Sequence, residues 1–193
     1  MRSWRPAAAA AALAVATALG APPADARAPF IVRKFLLGHL EPDTGRFLAT
    51  GGRGTANAFR DDVLLLVFSA PLDFDSVGDR TVRIGIPSGN GLQVAAEGAF
   101  YRYSVNRFDP VSGTYVEKRT WRNRVLFDPM ARREIPFLAN PEGFRPRTTY
   151  AVTLPGIDAG ALKAVESASG TLLETTFATT FATTDEFLAD RLP

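Results

Sequence analysis

Two clusters in the sequence carry residue types able to do chemistry, and one histidine stands alone. The first cluster is DFDSVGD, where Asp73, Asp75 and Asp79 supply the hard carboxylate oxygens that Ca²⁺ prefers, alone or with Asp61 and Asp62. Such a site takes about six oxygens on a preformed loop, and this stretch lacks the dense Asp/Asn/Gly pattern of a dedicated one. The competing expectation is a corner, in which Asp73 or Asp75 accepts backbone N–H bonds and caps a tight turn.

The second cluster is EKRTWRNR, residues 117–124, which interleaves Trp121 with Lys118, Arg119, Arg122 and Arg124. An indole among guanidinium groups can stack on a sugar or a base and pair with anions, so Trp121, Arg122 and Arg124 form a candidate ligand set. In a regular strand Arg122 and Arg124 face away from Trp121, and only a bulge would gather them into one patch. The plainer expectation is a solvated hairpin edge, where charge discourages strand-to-strand association.

His39 is the only histidine and the chain has no cysteine. Zinc chemistry normally takes several His or Cys ligands, which argues against a zinc enzyme and for a surface or loop histidine. A Ser–His–acid triad would have to use His39, yet no G-x-S-x-G elbow is present. Paired carboxylates for glycoside hydrolysis are available by count, but their separation in space is not readable from sequence. No catalytic residue, and no cofactor other than calcium, follows from these patterns.

The elements that would position these groups are short strands. VLLLVF at 63–68 has no polar alternation, which fits a strand covered on both faces or at a sheet centre. TVRIGI alternates, with Val82, Ile84 and Ile86 on one face, and TTYAVTLPG does the same with Tyr150, Val152 and Leu154. PSGNG at 87–91 and DPVSGTY at 109–115 are turn signals; the second joins YRYSVNRF to TYVEKRTW as a hairpin. RVLF at 124–127 is a further strand, GGRG at 51–54 a flexible loop, and the Arg- and Pro-rich stretch 130–146 a long loop.

Residues 158–169 offer a short helix around AGALKAVESA, or equally a loop turn. From 172 to 187, LLETTFATTFATTDEF reads as a last strand, because six of the ten residues 175–184 are Thr, which disfavours helix. Leu173, Thr175, Phe177, Thr179 and Phe181 would share one of its faces. Together these patterns predict an all-β, antiparallel, Ig-like β-sandwich of about seven strands. Its expected core is Val63, Leu65, Val67, Val82, Ile84, Val125, Phe127, Tyr150, Val152, Phe177 and Phe181.

The chain opens with Arg2 and Arg5 ahead of an apolar run from Ala7 to Leu19, then Ala24-Asp25-Ala26. Charged start, apolar middle and small-x-small end are the layout of a secretory signal over residues 1–26. Cleavage leaves 193 less 26, or 167, residues with 20 basic and 19 acidic side chains, a formal charge of +1. With charges so nearly balanced, the high pI does not report a polyanion-binding surface; export argues against nucleic acid as a partner. No later stretch has the roughly 18 apolar residues of a spanning helix. An exported chain without cysteine takes its stability from its core rather than from disulfides.

The order of several pieces resembles bacterial Ig-like domains of the S-layer-protein (SbsA) type. VLLLVFSAPLDFDSV is similar to that family's strand ending in Phe-Ser, followed by Pro, an acidic turn and Ser-Val; NRVLFDP is similar to its strand ending in Phe-x-Pro. FRPRTTYAVTLPG resembles its Pro-x-Thr-Thr-Tyr strand, and SASGTLLETTFATTFATT its Gly-x-Leu loop and closing Thr-rich strand. The match runs over 57–184; residues 27–56 would be an N-terminal strand and loop extension, and 185–193 a linker or truncated tail towards further domains after Pro193.

The resemblance implies a non-catalytic module that acts as a spacer or as an interaction or adhesion domain at the cell envelope. It would be exported to the periplasm, the cell surface or the medium, with a protein or an envelope polymer or glycan as its partner. A carbohydrate- or calcium-binding module is the alternative.

Overall fold

The computed structural model describes residues 28–89, 93–131 and 142–188. The expected leader at 1–26, part of the PSGNG turn, residues 132–141 of the long loop and the last five residues lie outside these. Among the described residues the strands are β1 (Val32–Leu40), β2 (Phe47–Gly52), β3 (Val63–Phe68), β4 (Arg83–Pro87), β5 (Gln93–Ala95), β6 (Ala99–Asp109), β7 (Thr114–Asp128), β8 (Thr149–Leu154) and β9 (Phe177–Ala182). They form two antiparallel sheets, a five-stranded one in the order β2-β1-β3-β7-β6 and a four-stranded one in the order β5-β4-β8-β9.

Among the described residues the sandwich therefore has nine strands where the sequence pattern predicts about seven. The additional pair is β1 and β2, from the stretch expected to be an extension. β1 sits inside the five-stranded sheet, with Phe35 opposite Leu66 of β3 and His39 opposite Leu48 of β2.

Alternation decides what lies between the sheets, because successive side chains of a strand point to opposite faces. From the larger sheet come Phe35, Leu37, Leu64, Leu66, Phe68, Val125 and Phe127; from the smaller come Ile84, Tyr150, Val152, Leu154, Phe177 and Phe181. Burying one such side chain contributes about 1.5–3 kcal/mol before entropy is subtracted. The aromatic centre is Phe144, whose ring lies 4.8 Å from Tyr150, 5.2 Å from Phe181 and 6.2 Å from Phe127. Tyr150 and Phe181, directly opposed on β8 and β9, stack at 5.3 Å.

Three expected core residues point the other way. Val63, Leu65 and Val67 do not face the second sheet; with Tyr103 and Leu126 they form a separate apolar cluster on the outer face of the five-stranded sheet, joined by Leu36, Leu40, Phe47, Tyr101, Val105 and Trp121. The unbroken run in β3 thus reflects cover on both faces, as expected, but its inward residues are Leu64, Leu66 and Phe68.

The outer cluster exists because the sheet curls. β-bulges interrupt the pairing between Leu37 and Gly38 and between Arg102 and Ser104, and each adds twist. One end of β2 is thereby brought to β6, where the Phe47 N–H donates to the Tyr103 hydroxyl at 3.0 Å and the Asn106 N–H to the Thr44 carbonyl at 2.7 Å.

Of the two readings open for residues 158–169 the loop turn is the one found: a single 3-10 turn, Ile157–Ala159, ends at Gly160, and an irregular path follows with Ala164 and Val165 buried. Its backbone is bound elsewhere, the Glu166 carbonyl accepting from Asp73 N–H and the Val165 carbonyl from Leu173 N–H. The last strand begins at Phe177 rather than 172, since Asp158 accepts both the N–H and the hydroxyl of Thr176 and bends the chain there. Leu173, Phe177 and Phe181 are buried as expected, whereas Thr175 is exposed. GGRG is only partly loop, because Gly51 and Gly52 end β2.

Candidate functional site

The acidic stretch after β3 is built as a corner. Asp73 caps the 3-10 turn Phe74–Ser76: its carboxylate accepts the Asp75 N–H at 3.1 Å, while its carbonyl accepts the Ser76 hydroxyl at 2.6 Å. Ser76 in turn accepts the Glu166 N–H at 2.9 Å, tying the corner to the segment before β9. Asp73, Asp75 and Asp79 are exposed. Among the described residues no three His, Asp or Glu side chains are grouped as ligands for a metal ion. Asp61 and Asp62 do not join the corner, for the Asp61 carboxylate accepts the Leu188 N–H at 2.8 Å and Asp62 is buried elsewhere. The described part of the expected linker is consequently docked, with Arg60 stacked over Phe187 at 4.3 Å.

Asp62 is fully buried ahead of β3. It accepts the Phe59 N–H at 2.8 Å and the Thr50 hydroxyl, pinning the end of β2 to the start of β3. Burial pushes its carboxyl above the ordinary 3.8, with Asp61 adding to the rise; the Phe59 and Thr50 hydrogen bonds and the nearby His39 oppose it. His39 itself lies in β1, partly buried with Nδ1 inaccessible, and not on a loop or the open surface.

Because the folded pKa of Asp62 is raised, the folded state holds more protons than the unfolded chain above about pH 3.8. The contribution of Asp62 to stability therefore grows on acidification from neutral pH and is lost as pH rises through the folded pKa. Asp62→Asn is expected to flatten that slope. Melting curves of wild type and variant at several pH values check this, and a constant difference between them at every pH would contradict it.

The Trp/Arg cluster lies on β7 where the pairing with β6 is most irregular. Arg102 pairs with Val125 but Ser104 pairs with Thr120, so two steps along β6 match five along β7. This bulge is the condition that brings Trp121 and Arg124 onto one face. The guanidinium carbon of Arg124 stands 3.8 Å from the Trp121 ring centroid and 5.5 Å from that of Tyr103; that of Arg119 stands 4.0 Å from Trp121. Each such contact contributes about 0.5–1 kcal/mol at an exposed site. Nε1–H of Trp121 and Nε–H of Arg124 lie buried without an acceptor among the described residues.

Of the expected ligand set, Trp121 and Arg124 are thus brought together. Arg122 is exposed and stands apart from the stack, its carbonyl accepting the Leu72 N–H at 3.0 Å. Beside the stack runs a surface groove of about 360 Å³ lined by Val105, Arg107, Arg119 and Trp121. Sequence reasoning missed the β6 contribution, Val105 and Arg107 with Tyr103 beneath, although the alternation in YRYSVNRF puts all three on one face of that strand.

A larger groove, about 550 Å³, lies between the chain ahead of β3 and the end of β9, lined by Asn57, Phe59, Arg147 and Thr183 to Glu186. Among the described residues its cationic lining residue is Arg147, which is held at φ +47° and donates from Nε to Asp185 at 2.6 Å. No helix of the described residues is long and apolar enough to cross a membrane. Comparison with family models, with curated proteins and with solved structures gave no match.

Proposed function

We propose that the chain is an exported, non-catalytic, Ig-like interaction module of the cell envelope that works through the outer face of its five-stranded sheet. The observation that carries this reading is the Arg119–Trp121–Arg124 stack, a rigid cationic and aromatic surface on a two-layer scaffold. An amphipathic aromatic body held with fixed guanidinium donors is the composition that dominates recognition surfaces. Export rests on the leader pattern at 1–26.

The ordered motifs that resemble SbsA-type Ig-like domains support the family reading, since they fall on β3, the end of β7, β8 and the approach to β9, strands drawn from both sheets. The two acids that burial pushes above the ordinary carboxylate value, fully buried Asp62 and half-buried Asp128, are consistent with structural duty: each accepts a backbone N–H, from Phe59 and Met130.

Co-sedimentation with envelope fragments of the source cells tests the reading. Wild-type protein is expected to pellet with them, and the folded double variant Arg107→Gln/Arg119→Gln to lose most of that association. Equal pelleting of the two would move the interaction to another surface. No pelleting of wild type would remove the envelope module altogether.

A further inference from the structure

We propose that the first half of β7 is a docking edge, to which an extended acidic peptide adds as a further strand. The site is the main chain beside the Trp121 stack rather than the sheet face that carries it. β7 runs from Thr114 to Asp128, but β3 pairs only with Arg124 to Phe127. Leu72 takes the next place along that side, donating its N–H to the Arg122 carbonyl at 3.0 Å. From Thr114 to Trp121, among the described residues, β7 pairs on one side alone, with β6.

The pairing fixes where the main-chain groups point. Opposite residues of an antiparallel ladder alternate between pairs that exchange hydrogen bonds and pairs whose N–H and C=O groups point outward. Asn106 sends its N–H away from β7, to the Thr44 carbonyl at 2.7 Å, so the Asn106–Lys118 pair is of the outward kind. Ser104–Thr120 lies two residues on in the same register and is therefore outward as well. Its hydroxyls meet at 2.9 Å, in keeping with the closer side chains of such a pair. The N–H and C=O groups of Lys118 and Thr120 thus face the open side, two donors and two acceptors at the spacing that an added strand satisfies.

Charge selects the occupant. Residues 117–124 hold four basic side chains against the one carboxylate of Glu117, and Lys118, Arg119 and Arg122 are exposed. The acidic corner follows Leu72 at the far end, which puts the favourable seat for a partner's carboxylates beside Lys118 and Arg119. A second copy of the chain is the poorer occupant. Two-fold pairing of like edges, centred on residue 118, 119 or 120, sets Lys118 opposite Lys118, Arg119 opposite Arg119, or Lys118 opposite Arg122. Like charges directly opposite are destabilising, so the charges that deter self-association admit a partner of the other sign.

Calorimetry and amide hydrogen exchange on the full chain test this with an end-blocked peptide of alternating Glu and Thr, and with its Lys and Thr counterpart. The acidic peptide is expected to bind and the basic one not. At saturation the Lys118 and Thr120 amides should exchange about tenfold more slowly or better, with Arg119, whose N–H is turned towards β6, unchanged. Lys118→Pro removes one outward N–H and no ladder bond, a change that edge strands tolerate; it should weaken binding about tenfold, the scale of one lost hydrogen bond. Lys118→Glu keeps the main chain and reverses the charge, and should weaken binding about threefold or more.

No binding of the acidic peptide overturns the proposal, and equal binding of the basic one overturns the choice of partner. Binding without protection of Lys118 and Thr120 overturns strand addition, as does unchanged affinity in either variant. Peptide binding without envelope association leaves the edge standing and removes the envelope module. Envelope association without peptide binding removes the edge alone.

Discussion

Phe144→Ala is expected to lower the unfolding free energy by about 3–5 kcal/mol, the range for emptying a fully buried aromatic site. Phe144 is 1% exposed and contacts Phe127, Tyr150 and Phe181, rings from strands of both sheets. Alanine would leave a cavity at a place where β7, β8 and β9 share a neighbour.

The backbone around Phe144 resists collapse into that space. The Phe144 N–H donates to the Arg60 carbonyl at 2.8 Å, and the Arg60 side chain donates back to the carbonyls of Phe144 at 2.9 Å and Glu142 at 2.7 Å. Gly143 makes that approach possible: its φ is +53°, and a Cβ there would stand 2.4 Å from the Arg60 carbonyl oxygen. Urea denaturation of the variant measures the loss. A change below about 1 kcal/mol, the scale of an ordinary substitution, would mean that the ring does not tie the sheets together.

Leu65→Ala is expected to cost about 2–5 kcal/mol, similar to Leu64→Ala, although the two side chains point to opposite faces of β3. In a sandwich with one wetted face per sheet, the outward residue would be nearly neutral to truncation. Here both are buried, Leu64 at 0% and Leu65 at 3% exposure, because the bulged sheet curls and Tyr103, Leu126 and Val63 pack round Leu65.

Val111→Ala, at the tip of the β6–β7 hairpin and 94% exposed, supplies the reference and should stay within about 0.5 kcal/mol of wild type. Should Leu65→Ala behave like the hairpin-tip variant in the same denaturation series, the outer cluster is no second core. The Trp121 stack would then rest on a loose ribbon rather than on a packed support.

Local pattern accounts for much of the architecture. The alternation in TVRIGI and TTYAVTLPG fixed the inward residues of β4 and β8 correctly, and the DPVSGTY turn is the β6–β7 connection, where Gly113 takes φ +67° and the Asp109 carboxylate accepts the Val111 N–H. Period-two patterning is short-range information, and side chains on a strand obey it whatever the partner strand. The same logic made Asp73 readable as a cap, because its partners lie within the next three residues.

The face of VLLLVF was not readable, since an unbroken apolar run carries no phase, and its phase is set by which sheet covers it. Phe144 went unnoticed because a loop residue has no period to betray its burial. Arg119 shares a strand face with Trp121 by period alone, but the meeting of Trp121 with Arg124 depends on how β7 is paired with β6, through a bulge that residues 117–124 do not show by themselves. By itself, then, the sequence determined strands, turns and the acidic corner, all consequences of neighbours along the chain. Only the tertiary structure decided which faces are dry, where the stack stands and what lines its groove, because those follow from contacts between residues far apart in sequence.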